Sequence, residues 1–247
     1  MEGKEGREGK GGIRMKTKMF GSIIICFSLM LTFQMSVEAL IWNFDKKEEA
    51  DDWLAIRGKW EIDTKEGVFI GTSDFDEGTV IVSKDTWDNK WVDYTLEVKV
   101  RNMGTENHFG IGFRDDGTGN HYGFYMNDFV GPETKYWFGT FSNGTYNAFA
   151  GSWADDGNYK DAEKWNVMKV VVKGFTFDLY INDKLLKSVT DNNKAFKNGP
   201  IALVSDKNQK PAIAQFDYVG LEGEGIPAMA VSPSGKLTTI WGSIKSQ

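Results

Sequence analysis

The stretch His108–Asn127, HFGIGFRDDGTGNHYGFYMN, constrains the fold more than any other segment of the chain. In an extended strand, side chains i, i+2 and i+4 share a face. Phe109, Ile111 and Phe113 therefore point one way, opposite His108, Gly110, Gly112 and Arg114. Asp115 to Asn120 (DDGTGN) is dense in residues that tolerate turn geometry. Tyr122, Phe124 and Met126 then resume the apolar set, opposite His121, Gly123, Tyr125 and Asn127. The segment reads as a hairpin with one oily face for a core. Its second face carries three glycines, Arg114, Tyr125, Asn127 and the chain's only two histidines. Glycine inside a strand weakens it and often marks a close approach to the backbone. The second face is read as a glycine floor with a polar rim; a solvated sheet face with bulges is the alternative.

The rest of the chain continues in this manner. Trp91 to Arg101 alternates cleanly, with Val92, Tyr94, Leu96, Val98 and Val100 expected in the core. Leu40–Phe44, Trp53–Asp63, Val68–Ile70 and Thr79–Val82 are strand candidates before the hairpin. Thr134–Phe141, Thr145–Ala150, Trp165–Lys173, Phe175–Ile181, Lys184–Val189, Ile201–Val204 and Ala212–Leu221 follow it. No segment keeps a persuasive helical period over three turns. Short strands at regular spacing with turn residues between them predict an all-β chain, a two-sheet antiparallel jelly-roll sandwich.

Aromatic residues at 14% and 28 glycines fit such a β protein better than a helical one. Without its first 39 residues, which hold six Lys/Arg and four Asp/Glu, the chain keeps 23 basic and 31 acidic residues. An acidic, Trp-rich domain without a basic stripe is a poor nucleic-acid binder, so no such partner is expected. Those first 39 residues read as a signal peptide: six cationic residues, the apolar run Phe20–Phe33, then Val37-Glu38-Ala39. The run is short for a membrane span, so no stable span is expected after its removal; an uncleaved anchor is the alternative. Cleavage would remove Cys26, the only cysteine, which points to secretion or a bacterial cell envelope, periplasmic or extracellular. Residues 40–222 are the expected domain. Residues 223–247 are read as a flexible tail or a short docking element.

In this order the pieces resemble the concanavalin A-like lectin/glucanase superfamily, nearest to its laminin-G-like branch and the bacterial 3-keto-disaccharide hydrolase domain. The likeness runs over about residues 40–222. It is carried by Gly58-Lys59-Trp60, Trp91-Val92-Asp93-Tyr94-Thr95-Leu96 and Phe109-Gly110-Ile111-Gly112-Phe113-Arg114 with His121-Tyr122-Gly123-Phe124. Trp165–Gly174, Leu179-Tyr180-Ile181-Asn182 and Ala214-Gln215-Phe216-Asp217-Tyr218-Val219 complete it, with Asp183 where the family usually has Gly. The resemblance implies a jelly roll and leaves function open, because one fold hosts lectins, glycosidases and adhesion modules.

Three functions follow as expectations. The first is non-catalytic binding of a carbohydrate or cell-surface glycan on the concave sheet, with Arg114, His121, Tyr125, Asn127 and Trp137 as the site. Flat rings suit sugar C–H faces, and forked polar groups suit hydroxyls. Arg114→Ala should then abolish glycan retention and leave the melting temperature unchanged. The second is a glycoside hydrolase, either laminarinase-type or, as the resemblance implies without naming a catalytic residue, 3-keto-disaccharide hydrolase-like. Glu61-Ile62-Asp63-Thr64-Lys65-Glu66 spells the E-x-D-x-x-E of laminarinase-type members, where the glutamates are nucleophile and acid/base. Against it, Thr64 to Gly67 reads as a turn that would aim Glu66 at solvent. The third is a structural or interaction domain of the cell envelope. No cofactor is expected to be required. By resemblance, a structural calcium would sit at Asp45 and Asp217.

Overall fold

The alternating segments become strands. In the computed structural model the chain opens with β1 (Ala39–Trp42), a short 3-10 helix (Lys47–Asp52), β2 (Trp53–Ala55), β3 (Lys59–Asp63), β4 (Val68–Ser73) and β5 (Gly78–Val82). The central run is β6 (Tyr94–Asn102), β7 (Asn107–Phe113), β8 (His121–Asp128), β9 (Thr134–Ser142) and β10 (Thr145–Asp155). It closes with β11 (Asn166–Lys173), β12 (Thr176–Ile181), β13 (Lys184–Thr190), β14 (Ala202–Lys207) and β15 (Ala212–Gly223). The structure describes residues 39–227 apart from 74–77, 83–84, 104–106, 129–133, 156–157, 161–162 and 208–210. All of these belong to the unit Ser36–Gln247. The expected signal segment, save Ala39, and the tail beyond Pro227 lie outside the described residues.

The strands form two antiparallel sheets. One has eight strands, ordered β13-β12-β11-β6-β15-β4-β3, with β1 also paired to the long β15. The other has seven, ordered β10-β9-β8-β7-β14-β5-β2. This is the expected jelly-roll sandwich. Between the sheets, Leu96, Val98 and Val100 of β6 and Val170 and Leu179 of β11 and β12 share one core with Phe109, Ile111, Phe113, Tyr122, Phe124 and Met126. Each such side chain contributes about 1.5–3 kcal/mol by leaving water.

Three local expectations change. Trp53–Asp63 is two strands in different sheets, split at Gly58, whose φ of 76° lies in the left-handed region. β6 begins at Tyr94, so Val92 is exposed while Trp91 is buried and donates its Nε1–H to the Gly225 carbonyl at 3.2 Å. The turn before the strand, not the alternation within it, sets the direction of these two side chains. Glu97 sits on the expected wet face yet is buried, accepting the Tyr218 hydroxyl at 2.8 Å with Lys169 Nζ at 3.8 Å.

Burial pushes the Glu97 carboxyl above its ordinary range, and the Tyr218 hydrogen bond and Lys169 only partly oppose it. A carboxyl whose folded pKa is raised stabilises the fold below its unfolded pKa. That contribution is lost as pH rises through the folded value. Glu97→Gln, which keeps an acceptor for Tyr218, should melt at or above wild type at neutral pH. Thermal melts across pH should show the gap closing as pH falls through the ordinary carboxylate value near 4.5.

Candidate functional site

The hairpin at the centre of the sequence pairs as β7 and β8, with His108 opposite Asn127, Gly110 opposite Tyr125 and Gly112 opposite Gly123. Its apolar set fills the core, so the glycine-bearing set lies on the outer face of the seven-stranded sheet. β9 adds Trp137 beside Tyr125 and Phe141 beside His121, and β14 adds Asp206 beside His108.

The glycine floor is occupied by the protein's own side chains. A Cβ at Gly123 would lie 2.4 Å from Cζ of Tyr125, and one at Gly112 would lie 2.7 Å from Cδ2 of His121. These two rings lie across the glycines, and both residues are fully buried. His121 Nδ1 is 2.9 Å from Oδ2 of Asp115, and its Nε2 is 2.5 Å from the Tyr125 hydroxyl oxygen. Oδ1 of Asp115 accepts the backbone N–H groups of Gly117 and Gly119 at 2.7 and 3.2 Å. Tyr125 stacks on Trp137 with ring centres 5.2 Å apart and planes 17° apart. Trp137 in turn meets the edge of Tyr146 at 5.2 Å and 90°.

This aromatic row ends at a polar corner. Asp206 accepts a hydrogen bond from the Tyr146 hydroxyl and faces Nδ1 of His108 at 3.1 Å. Tyr146 and His108 are only half-buried, so the corner reaches solvent. Asn127, across from His108, is wholly buried, and among the described residues neither its Oδ1 nor its Nδ2 has a hydrogen-bond partner. Buried polar groups are nearly always paired, and an orphaned one costs about 1–3 kcal/mol.

The expected site residues are therefore divided. His121, Tyr125, Asn127 and Trp137 share the outer face, but Arg114 does not join them. It follows the last residue of β7 with φ of 56°, which breaks the strand alternation and turns the side chain towards the end of the sandwich. Its guanidinium donates to the carbonyls of Val92 (2.8 Å), Gly174 (2.6 Å) and Phe196 (3.3 Å) and packs 5.0 Å from the Phe175 ring centre. Buried, with both terminal nitrogens on backbone carbonyls, Arg114 is a bolt between three loops.

The three acids of the hydrolase expectation do not make a cleft. Glu61 is on β3, the edge strand of the eight-stranded sheet, where it pairs with Lys59 at 2.9 Å. Asp63 caps the following turn through the N–H groups of Lys65 and Glu66, and Glu66 is exposed beyond it. Of the pair expected to hold calcium, Asp217 is engaged by Lys99 Nζ at 2.9 Å and Asp45 is exposed. Among the described residues, no group of three or more His, Cys, Asp or Glu is arranged to hold a metal ion. The oxygen-rich Asp115–Asn120 loop is knitted by its own hydrogen bonds. Burial raises the Asp116 carboxyl, but bonds from Thr118 and Asn120 outweigh this and leave it below the usual range.

Asp206 and Tyr146 escape a reading centred on one hairpin, yet the signal was in the alternation. Continuing Val204-Ser205-Asp206 for two residues past the expected strand end puts Asp206 on the face of Val204.

Residues 41–218 match the 3-keto-alpha-glucoside-1,2-lyase-like domain family. The chain belongs to that family. No curated protein matches it. Among solved structures it is similar to the carbohydrate binding module CBM66 from Bacillus subtilis, at 23% identity and a TM-score of 0.53, covering 70% of this chain and 96% of that one. It is similar to the Bacillus licheniformis beta-glucanase at 12% identity and a TM-score of 0.53, covering 75% and 98%. The GH43 BlXynB protein from Bacillus licheniformis aligns at 14% identity and a TM-score of 0.53, and the match spans 74% of this chain but 39% of that larger one. At these identities the likeness concerns the fold, which binding modules and glycoside hydrolases share.

Proposed function

We propose that this domain is a secreted or cell-envelope carbohydrate-recognition module that grips its ligand at the Asn127–His108–Asp206–Tyr146 corner of the outer sheet face. The observation that carries this reading is Asn127. A buried amide whose donor and acceptor find no hydrogen-bond partner among the described residues is complementary to a sugar hydroxyl, which can answer both. Tyr146 supplies a half-buried ring for a C–H face, and Asp206 and His108 supply further polar contacts. Family membership and a fold shared with a carbohydrate binding module and a glucanase agree with a saccharide ligand. No helix among the described residues is long and apolar enough to cross a membrane.

Catalysis on the bound sugar is a second reading, favoured by the pairing of His108 with Asp206. A carboxylate that orients an imidazole is the arrangement of a general base. One experiment addresses both. The domain is titrated calorimetrically with an α-glucan, a β-glucan and an N-acetylglucosamine oligomer, and each mixture is assayed for chain cleavage. Binding with a dissociation constant between about 1 mM and 1 μM, or roughly −4 to −8 kcal/mol, is the expected result. Cleavage would make the module an enzyme; no binding and no cleavage would remove the carbohydrate assignment.

A further inference from the structure

We infer that His121, held by Asp115, is a positioning residue that fixes the aromatic backing of the carbohydrate site, from Tyr125 through Trp137 to Tyr146. This rests on the carbohydrate reading for its functional meaning, though not for its geometry. Asp115 accepts two backbone N–H groups on one oxygen, and its other oxygen lies 2.9 Å from Nδ1 of His121. On the far side of the ring, Nε2 lies 2.5 Å from the Tyr125 hydroxyl oxygen. Contacts at both ring nitrogens thus fix the imidazole plane and the direction of the phenol.

The rest of the row follows by contact. Tyr125 lies over Gly123, where no Cβ fits, stacks on Trp137 and meets Tyr146 edge-on at 6.1 Å. Trp137 meets Tyr146 edge-on, and Tyr146 ends on Asp206 at the ligand corner. Trp137 is buried while Tyr146 is half-buried, so Trp137 backs the wall and Tyr146 presents it. An apolar filling of equal volume would be easier to bury than this carboxylate–imidazole–phenol chain. It would not dictate ring orientation, however, because volume-matched apolar cores lose uniqueness of packing before they lose stability. A fully bonded buried polar chain supplies that uniqueness. It also accounts for Gly112 and Gly123: each clears the space that one ring of the chain occupies.

The test compares wild type with Tyr125→Phe, which deletes one hydroxyl and keeps the ring, and with Asp115→Asn, which keeps volume and weakens the far end of the chain. Far-UV circular dichroism and thermal melts report the fold. Near-UV circular dichroism reports the Tyr125–Trp137 geometry, and calorimetry measures binding of a β-glucan oligosaccharide. Both variants should keep the far-UV spectrum, lose near-UV intensity and bind the oligosaccharide about three- to tenfold more weakly, the range that one net hydrogen bond carries. His121→Gln, which still offers Tyr125 a partner, should fall between them and wild type. An unchanged near-UV spectrum in the folded Asp115→Asn variant, which keeps every aromatic ring, would overturn the positioning role. Should wild type not bind the oligosaccharide, that arm counts against the carbohydrate reading, and the near-UV arm still decides the role of His121.

Discussion

Arg114→Ala is expected to lower the melting temperature by about 10 °C, the opposite of what a rim residue of a binding site would do. The guanidinium is 1% exposed and ties together the carbonyls of Val92, Gly174 and Phe196, which belong to segments far apart in sequence. Hydrogen bonds to a charged donor are worth roughly 1.5–3 kcal/mol each, and removing the donor strands buried acceptors. Allowing for non-additivity, a loss of about 3–5 kcal/mol follows, and a domain of this size loses roughly 2–4 °C per kcal/mol. Arg114→Lys keeps the charge but not the planar fork, so it should recover little. Differential scanning calorimetry of the two variants measures this. A melting temperature within a degree or two of wild type would show that the three loops do not depend on the bolt.

Asn127→Leu is expected to move stability and binding in opposite directions. Leucine is close in volume and brings no polar atoms, so it relieves a fully buried amide of two unmet hydrogen bonds. Replacing an orphaned polar group by an apolar one of similar shape should stabilise the fold by about 1–2 kcal/mol. The same change removes the donor–acceptor pair proposed to meet a sugar hydroxyl. Leaving the polar groups of a ligand unanswered should weaken binding by at least tenfold, since each 1.4 kcal/mol is a factor of ten. A residue kept for packing alone would not behave in this way. Thermal melts and calorimetric titration of this single variant separate the two roles, and reduced stability with unchanged affinity would count against the site.

These two residues mark where the sequence could and could not be read. Alternation placed Phe109, Ile111, Phe113, Tyr122, Phe124 and Met126 in the core and put His121, Tyr125 and Asn127 together on the opposite face, because period two is a property of the extended backbone itself. Arg114 was misplaced by the same rule. One residue at φ 56° ends the strand and redirects its side chain, and no periodicity announces a left-handed arginine. The glycines read as a cleared floor, but their occupants depend on side-chain contacts across strands. His121 and Tyr125 were expected at the rim and instead fill the cleared space. Asp206 reaches the corner from β14, nearly a hundred residues from His108, a pairing that only the register of the sheet defines.

The most direct test of a ligand at this corner is to follow the Asn127 side-chain amide by nuclear magnetic resonance while titrating the glycan that binds in the calorimetric panel. A ligand that answers both orphaned amide atoms should shift the Asn127 side-chain N–H signals together with those of His108 and Tyr146. Shifts confined to the outer face of the eight-stranded sheet, for instance around Trp165 and Arg101, with the Asn127 amide unmoved, would contradict the account.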